Sequence, residues 1–412
     1  MSNNATKSTY RPTMISPHVL IAGAGPVGLV GALVLARAGI AVTVFERSTE
    51  FPQDLRASTF HPPTLDLLES FGITQPLIAQ GLIARTTQQR DRKEGLVAEF
   101  DMGLLAGDTR HPFRLQCEQW KLSGLLLERL AGFPHASVHL GAAVESVSQD
   151  AACVQASVKL GSETRVFRGD YLIGADGAWS SVRQSLGIEF EGYTYPERFL
   201  VLSTAFEFAH HFPRLSYVNY VSDPQEWCVL LRVPALWRVL FPTAIHESDE
   251  QVMADASIQG RLQNLLPRDS PYQTVHRTLY KVHQRVARQF RRGRVILAGD
   301  AAHINNPLGG LGLNFGIHDA MELSDLLGRV MRNEAAPDIL DLYDKFRRPL
   351  NVEYVQQQTI ANKKRLEEKD PEARAKSNAA LRATAADPEK HRAYLLRASL
   401  IESIRKRQAE NV

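Results

Sequence analysis

Residues 18–46 read HVLIAGAGPVGLVGALVLARAGIAVTVFE, and this stretch decides the fold. His18–Ala22 is a short apolar run suited to a buried strand. Gly23-Ala-Gly25-Pro26-Val27-Gly28 fits the G-x-G-x-x-G pattern at a strand-to-helix turn. Pro26–Ala38 is apolar with small residues, Gly39 stops it, and Ala41–Glu46 is a second strand. Strand, glycine turn, helix and strand in that order make a βαβ unit, the building block of a parallel sheet. Each glycine has a physical reason. Gly23 permits a tight turn, Gly25 leaves no Cβ between the helix N-terminus and a pyrophosphate, and Gly28 lets helix and strand approach closely. The free amides and dipole of the helix start favour phosphate. Glu46, with Arg47 beside it, ends the second strand; its carboxylate is placed to accept hydrogen bonds from a ribose and would repel a 2′-phosphate. Pro26 and Val27 fill the variable positions of the same phosphate-facing turn. The pattern alone does not separate FAD from NAD.

Outward from this unit, the spacing predicts helices at Pro63–Phe71 and Glu118–Leu130. Val138–Val147 and Cys153–Leu160 are expected to be adjacent antiparallel strands. Tyr171–Ala175 and Arg294–Ala298 are apolar throughout, as strands buried on both faces would be. Residues 190–285 differ in character. Runs rich in aromatic and β-branched residues, Phe199–Phe208, Leu215–Val221, Trp227–Val233 and Arg238–Phe241, predict an antiparallel sheet, with a helix near Gln251–Leu265. A long helix is expected from about Leu313 to Arg332 and another from Pro337. The resulting fold class is α/β: a Rossmann-like parallel-sheet domain interrupted by an antiparallel-sheet substrate domain, followed by C-terminal helices. The expected boundaries are a loose tail over 1–17, the first part of the nucleotide domain over 18–189 with some substrate-side strands, the substrate sheet over 190–285, the second part of the nucleotide domain over 286–350, and a helical segment over 351–412.

Composition narrows the class of function. The 412 residues are 44% hydrophobic and 23% charged, with a net charge of +3, which argues against a disordered chain and gives no electrostatic case for nucleic acid. Residues 361–412 carry 13 Lys/Arg against 8 Asp/Glu. An apolar stripe of Leu396, Leu400 and Ile404 there predicts a docked or partner-facing helix, although its basic polar face also suits a membrane surface. Cys117, Cys153 and Cys228 are the 3 cysteines, far apart and without ligand spacing, so neither a disulfide framework nor a metal site is expected and a cytoplasmic location fits. The polar first 17 residues lack the apolar core of a signal peptide, and no apolar run is long enough to span a bilayer. No Walker loop, nucleophile elbow or H-E-x-x-H motif appears.

Two later segments supply the specificity that the glycine turn lacks. Tyr171-Leu-Ile-Gly-Ala-Asp176-Gly177-Ala-Trp-Ser180-Ser-Val-Arg183 resembles the Asp-Gly motif of FAD-dependent aromatic hydroxylases, the para-hydroxybenzoate hydroxylase-like flavoprotein monooxygenases. Arg294-Val-Ile-Leu-Ala-Gly299-Asp300-Ala-Ala-His303, continued by Asn305-Asn-Pro307-Leu-Gly-Gly-Leu-Gly312-Leu313-Asn314, resembles their Gly-Asp motif. The three motifs stand in the family's order, and the resemblance covers roughly residues 18–350. It implies that Asp300 accepts hydrogen bonds from the ribityl chain. It implies that Asp176, with Arg183, serves the pyrophosphate side and the nicotinamide nucleotide. Arg56 matches an arginine near the ribityl and phosphates, and Gln119 a glutamine facing the flavin, with Gln116 as a close alternative register. Gly312, Leu313 and Asn314 open a helix whose dipole suits the anionic edge of reduced flavin, and Asn314 could add a side-chain bond. Pro307 would present its carbonyl at the oxygen-transfer site; many family members have two prolines here, whereas this chain has Asn305-Asn306-Pro307. His303 is expected to be structural.

The resemblance further implies FAD as cofactor, NADH or NADPH as a transient co-substrate without its own domain, molecular oxygen, and a flavin C(4a)-hydroperoxide that hydroxylates a phenol-like or hydroxypyridine-like small molecule. It is compatible with a homodimer and implies no nucleic-acid or integral-membrane partner. Tyr217, Tyr220, Trp227, Arg232 and Arg238 are the candidates for the substrate side. An epoxidase or a reductase on the same fold is the alternative outcome; an NAD-only dehydrogenase and a nucleotide-binding module without turnover stand behind it.

Overall fold

The strand His18–Ala22 (β1) occupies the middle of a six-stranded sheet whose order is Arg291–Arg292, Val295–Leu297, Tyr171–Gly174, β1, Ala41–Glu46 (β2) and Ala136–Leu140. The computed structural model describes residues 17–51 and 57–410. All neighbours in this sheet run parallel except the outermost pair. Val19, Leu20 and Ile21 are fully buried, as a strand covered on both faces requires. Helix α1, Pro26–Arg37, packs on one face beside the Gly312–Met331 helix. The βαβ reading and both later buried strands are therefore present in register.

The expected strand Val138–Val147 is two strands. Gly141 (φ +65°) breaks the run, Ala136–Leu140 joins the parallel sheet, and Ala142–Gln149 starts a separate three-stranded antiparallel layer with Val154–Leu160 and Glu163–Gly169. A turn at positive φ in mid-run is a local signal that alternation of side chains does not reveal.

The large sheet has eight strands in the order His303–Ile304, His276–Ala287, Phe190–Thr204, Trp237–Pro242, Cys228–Arg232, Val218–Ser222, Thr86–Asp91 and Gly95–Asp101. It draws its last hairpin from residues 86–101, and the pairing of Thr86–Asp91 with Val218–Ser222 is parallel. The strand expected at Phe199–Phe208 begins at Phe190 and ends at Thr204, because Phe190–Thr194 pairs with His283–Ala287. Beyond it, Glu207 caps the short turn Phe208–His210, which sends Phe208 into the core behind the sheet. The helix expected near Gln251–Leu265 is divided at Ala254 into Asp249–Met253 and Asp255–Leu265.

The C-terminal segment is not one charged helix. Helices Pro371–Ala386, Pro388–Ala398 and Ile401–Ala409 are separated by the Asp387 cap and by Leu400, a buried residue at φ +67°. The segment is docked: Leu395 and Ile401 enter a cluster with Phe100, Met102 and Leu105, each such side chain contributing about 1.5–3 kcal/mol of burial. Ion pairs reinforce the seam. Asp108, its carboxyl 1% exposed, accepts from Arg392 Nε at 2.9 Å and also pairs with Arg405, while Arg374 pairs with Asp91 and Arg382 with Glu94. Among the described residues, no helix is long and apolar enough to cross a membrane.

Candidate active site

Three backbone turns converge at the carboxyl edge of the parallel sheet. At the first, Gly23 has φ +99°, and an added Cβ would stand 2.3 Å from the Ala175 carbonyl oxygen, so this turn nests against the end of Tyr171–Gly174. A Cβ on Gly28 would stand 2.0 Å from the Gly23 carbonyl oxygen, which is the close helix–strand approach expected of that position. Gly25 differs: nothing lies within 4 Å of its missing Cβ. No side chain caps α1, and Pro26 occupies its first turn. The start of α1 therefore presents unpaired amides to open space. Val27 turns the other way and packs under the second part of the crevice, where a Cβ on Gly299 would lie 3.0 Å, and one on Gly316 2.9 Å, from its side chain.

Glu46 pins the turn. Its Oε2 accepts from Ala24 N and its Oε1 from Ser48 N, both at 3.0 Å, which leaves a further lone pair on each oxygen. Arg47 beside it is exposed. Arg56 lies outside the described residues.

The second turn carries Asp176. Its Oδ2 accepts from Ser181 Oγ and Val182 N, each at 3.2 Å, while Oδ1 is buried without a partner. Arg183 is a clamp: it donates to the carbonyls of Ala301 and Ala178, each at 2.8 Å, and lies 3.8 Å over the Phe190 ring. The third turn carries the exposed Asp300, between Gly299 (φ +59°) and Ala301. Behind it, Asp319 accepts from His303 Nε2 at 2.6 Å, from Arg347 Nε at 2.7 Å and from Gly299 N at 3.3 Å. His303 thus serves the frame of the turn, the structural role expected of it.

Gly312 and Leu313 open the Gly312–Met331 helix, whose start has neither a side-chain cap nor an acidic residue. The Asn314 side chain does not project toward a ring. It is fully buried, with Oδ1 accepting from His61 N at 2.8 Å and Nδ2 donating to the carbonyls of Thr59 (2.8 Å) and Gly310 (2.7 Å). Its carboxamide therefore ties the loop to Thr59–His61. Gln119 is the first residue of the Gln119–Leu130 helix, with its amide bonded to the Ala57 carbonyl. Gln116, the alternative register, is buried in the preceding strand and accepts from Thr59 Oγ1 at 3.0 Å. The uncapped amides above Gly25, the orphaned Asp176 oxygen and the second uncapped helix start suit an extended dinucleotide such as FAD along this edge.

Pro307 is exposed, and its carbonyl accepts from Gly310 N at 3.0 Å, closing a turn rather than pointing freely outward. Where a second proline would stiffen the loop, Asn306 is held by hydrogen bonds. Gln284 Oε1 accepts its backbone N at 3.0 Å and its Nδ2 at 3.1 Å, while its own Oδ1 accepts from Leu308 N. Gln284 Nε2 in turn reaches Gln356 Oε1 (2.7 Å), Thr359 Oγ1 (3.0 Å) and the Gln356 carbonyl (3.3 Å). Gln356 sits in a π-helical turn, Val352–Gln356, a local widening that frees backbone carbonyls.

Beside this loop is a narrow cleft with accessible room for about one water molecule, lined by Thr87, Gln89 and Tyr220 of the large sheet, Gly309 and Leu311 of the loop, Arg114, and residues of the C-terminal helices. It lies between the loop and the antiparallel sheet. Arg114 is its most telling member. The residue is 4% exposed, its Nε and Nη1 have no partner, and Nη2 makes only a long 3.5 Å contact to the Ala398 carbonyl. No carboxylate lines the cleft. Burial holds the imidazole of neighbouring His61 well below the usual histidine range, and the Arg114 charge pushes the same way; its Nε2 donates to the Gly309 carbonyl at 2.9 Å.

Of the substrate-side candidates, Tyr220 lines the cleft. Trp227 packs in the core against Phe199, Arg232 pairs with Glu207, Tyr217 is surface-exposed, and Arg238 is buried beside Ser58. Sequence reasoning missed Arg114, which stands between motifs. It also missed the cleft residues Gln358, Asn362, Arg365, Tyr394 and Ala398, which lie in the segment read as a docked tail. The only advance signal for them was the basic, apolar-striped character of that segment.

The model of the FAD binding domain family matches residues 17–358. The para-nitrophenol 4-monooxygenase of Pseudomonas sp. (strain WBC-3) is 34% identical over 387 residues, covering 92% of this chain and 94% of that protein. The 6-hydroxy-3-succinoylpyridine 3-monooxygenase HspB of Pseudomonas putida (strain DSM 28022 / S16) is 35% identical over 86% of this chain and 90% of its own length. The crystal structure of p-nitrophenol 4-monooxygenase PnpA from Pseudomonas putida DLL-E4 superposes with a TM-score of 0.89 at 33% identity, covering 94% of this chain and 98% of that one.

Proposed function

This chain belongs to the FAD binding domain family and is an FAD-dependent aromatic monooxygenase; from that premise we propose that it hydroxylates a phenol or hydroxypyridine whose ionised oxygen is held by Arg114. The observation that carries this reading is the guanidinium itself, buried in the cleft with two nitrogens unpartnered and no carboxylate to neutralise it. Leaving a charge so placed is costly unless a ligand supplies the counter-charge. A cation at the phenol oxygen lowers its pKa and keeps it as phenolate, which raises the nucleophilicity of the ring. Bound in this crevice, FAD would supply the redox chemistry, with NADH or NADPH as hydride donor and molecular oxygen as co-substrate. The balanced reaction converts arene, oxygen, NAD(P)H and a proton into hydroxyarene, NAD(P)⁺ and water.

The chain's own residues do the positioning. Gly25 and the start of α1 receive the pyrophosphate, with Pro26, Val27 and Gly28 shaping that turn. Glu46 receives the ribose, Asp300 the ribityl chain and Asp176 the diphosphate side. Gly312 and Leu313, at the uncapped helix start, would offer their amides to the anionic edge of the flavin, with Gln119 on the same side. Tyr220, Leu311 and Tyr394 wall the cleft against water. The cytoplasm is part of the same proposal, supported by three free cysteines.

The test is a panel of phenols and hydroxypyridines assayed for stimulated NAD(P)H consumption, oxygen uptake and a product heavier by one oxygen. Arg114→Met should keep its flavin and lose the stimulation. Full stimulation in that variant would overturn the role of Arg114, and a panel with no oxygenated product would overturn the reaction.

A further inference from the structure

The cleft beside the 305–310 loop is shut in this structure. Its room for about one water molecule is far below the cavity, on the order of 150 Å³, that holds a benzene ring. A phenol therefore reaches Arg114 only if a wall moves. The sheet wall is fixed, since Val218–Ser222 carries ladder hydrogen bonds on both sides. The loop wall is fixed by Gln284 and by Asn362, whose Nδ2 donates to the Leu308 carbonyl at 3.0 Å. The remaining wall, Tyr394 and Ala398, belongs to the C-terminal helices and is held differently.

Charge, more than apolar packing, fastens that wall. Helix Pro371–Ala386 follows the 86–101 hairpin with one buried residue, Asn378, and is tied to it by Arg374 with Asp91 and Arg382 with Glu94. On the next helix Arg392 holds Asp108, and His391 Nε2 accepts from Asp101 N at 2.9 Å. Leu395 is the one large apolar side chain of 371–399 that is buried. Both ends of this piece are joints. Residues 368–370 form no regular structure, and Leu400 (φ +67°) breaks the helix while staying seated among Leu311, Phe315 and Tyr354. Beyond Leu400 the chain is moored to the body, with Lys406 and Arg407 each 2.6 Å from Glu353 and Glu322.

We propose that residues 371–399 are a charge-latched strap, hinged at 367–370 and at Leu400, which lifts from the hairpin to admit substrate and closes over it. Lifting removes Tyr394 from the cleft and takes the Ala398 carbonyl, 3.5 Å from Nη2 of Arg114, off that guanidinium. Exposed ion pairs each stabilise little, so a few of them shut the cleft without locking it. Weakening them raises the open fraction, and the entry rate rises in proportion. This inference rests on the hydroxylase reading above and adds how its site is entered.

The experiment pins the strap in the flavin-loaded protein. Glu94→Cys and Arg382→Cys, with the half-buried Cys153 changed to serine, are joined by a bis-maleimide that carries a cleavable disulfide. The uncharged phenols of the panel are then mixed in, and their binding is followed by flavin absorbance. The linked protein should keep its FAD, bind phenol at least tenfold more slowly, and recover when the linker is cut; the same cysteines capped with N-ethylmaleimide should bind at the unaltered rate. In a second arm, Arg382→Gln with Arg392→Gln, both about half-exposed, should bind phenol several times faster than the unaltered protein, whose own rate should rise with salt. Undiminished binding in the linked protein, or no acceleration in the double variant, would overturn the strap and leave the hydroxylase reading standing. Link-dependent binding with no oxygenated product strikes the reaction and not the strap. No phenol-induced flavin signal in the unaltered protein would sink both.

Discussion

Asp319 Oδ2 lies 2.6 Å from His303 Nε2, and both side chains are fully buried behind the turn that carries Asp300. The other oxygen of the same carboxylate takes Arg347 at 2.7 Å. Burial pushes the Asp319 carboxyl up, but Arg347 and then His303 more than offset it, and the group lies below the ordinary aspartate range. Removing this charge leaves Arg347 buried with only the longer 3.9 Å contact to Glu322 as counter-charge. Asp319→Asn should therefore destabilise the fold by about 3–5 kcal/mol, the usual cost of breaking a buried pair. Chemical denaturation of the flavin-free protein measures it, and a loss below about 1 kcal/mol would show that the network is not structural.

Histidines that the fold keeps neutral contribute to the loss of stability in acid. His318 is fully buried against Thr64, and burial, helped by Arg347, lowers its pKa to about 3. His61 is shifted the same way. The unfolded chain binds these protons near pH 6.5 and the folded one does not, so their contribution to stability is complete above that pH and declines as pH falls toward 3. The slope is up to about 1.4 kcal/mol per pH unit for each group. His318→Gln should flatten the decline between pH 6 and 4 in urea titrations; an unchanged slope would mean that His318 titrates normally.

Glycines of the first turn separate ligand space from packing space. Open space above Gly25 means that Gly25→Val should fold and fail to retain FAD, whereas Gly28→Val, blocked by the Gly23 carbonyl, should not accumulate as folded protein. Asp300→Ala should weaken FAD binding by roughly 1.5–3 kcal/mol, the value of a hydrogen bond to a charged acceptor. That corresponds to about ten- to 150-fold in dissociation constant, read by flavin fluorescence after dialysis. Full flavin occupancy in Gly25→Val would remove the pyrophosphate from this turn.

The parallel core was legible because its signals are local: a buried strand, glycines at fixed offsets and a charged residue at the strand's end. The Gly299–His303 turn was legible for the same reason. What escaped was long-range. Arg114 gains its meaning from what does not surround it, and Tyr394 and Arg365 reach the cleft only after helices from the last 60 residues fold over the 86–101 hairpin. Asn314 misled in the opposite direction. Its position near a helix start is as expected, but three backbone partners claim its carboxamide. Sequence spacing places a side chain; it does not say which neighbour competes for it.

Gln284 replaces with hydrogen bonds the rigidity that a second proline would give the 305–310 loop. Its carboxamide joins Asn306, Gln356 and Thr359, so one side chain fastens the loop to the π-helical turn. The loop forms one wall of the cleft at Gly309 and Leu311, so loosening it is expected to admit water to the crevice. Gln284→Leu has similar bulk and no polar partners, so it leaves the buried Asn306 amide unsatisfied and should loosen the loop without emptying the FAD site. The expected phenotype is uncoupling: NAD(P)H consumption persists in the presence of substrate, while a larger share of the electrons appears as hydrogen peroxide and less as hydroxylated product. Simultaneous measurement of NAD(P)H, peroxide and product gives the partition. An unchanged product yield per NAD(P)H would mean that Pro307 and Gly310 alone hold the loop, and that the asparagine pair is incidental to the chemistry.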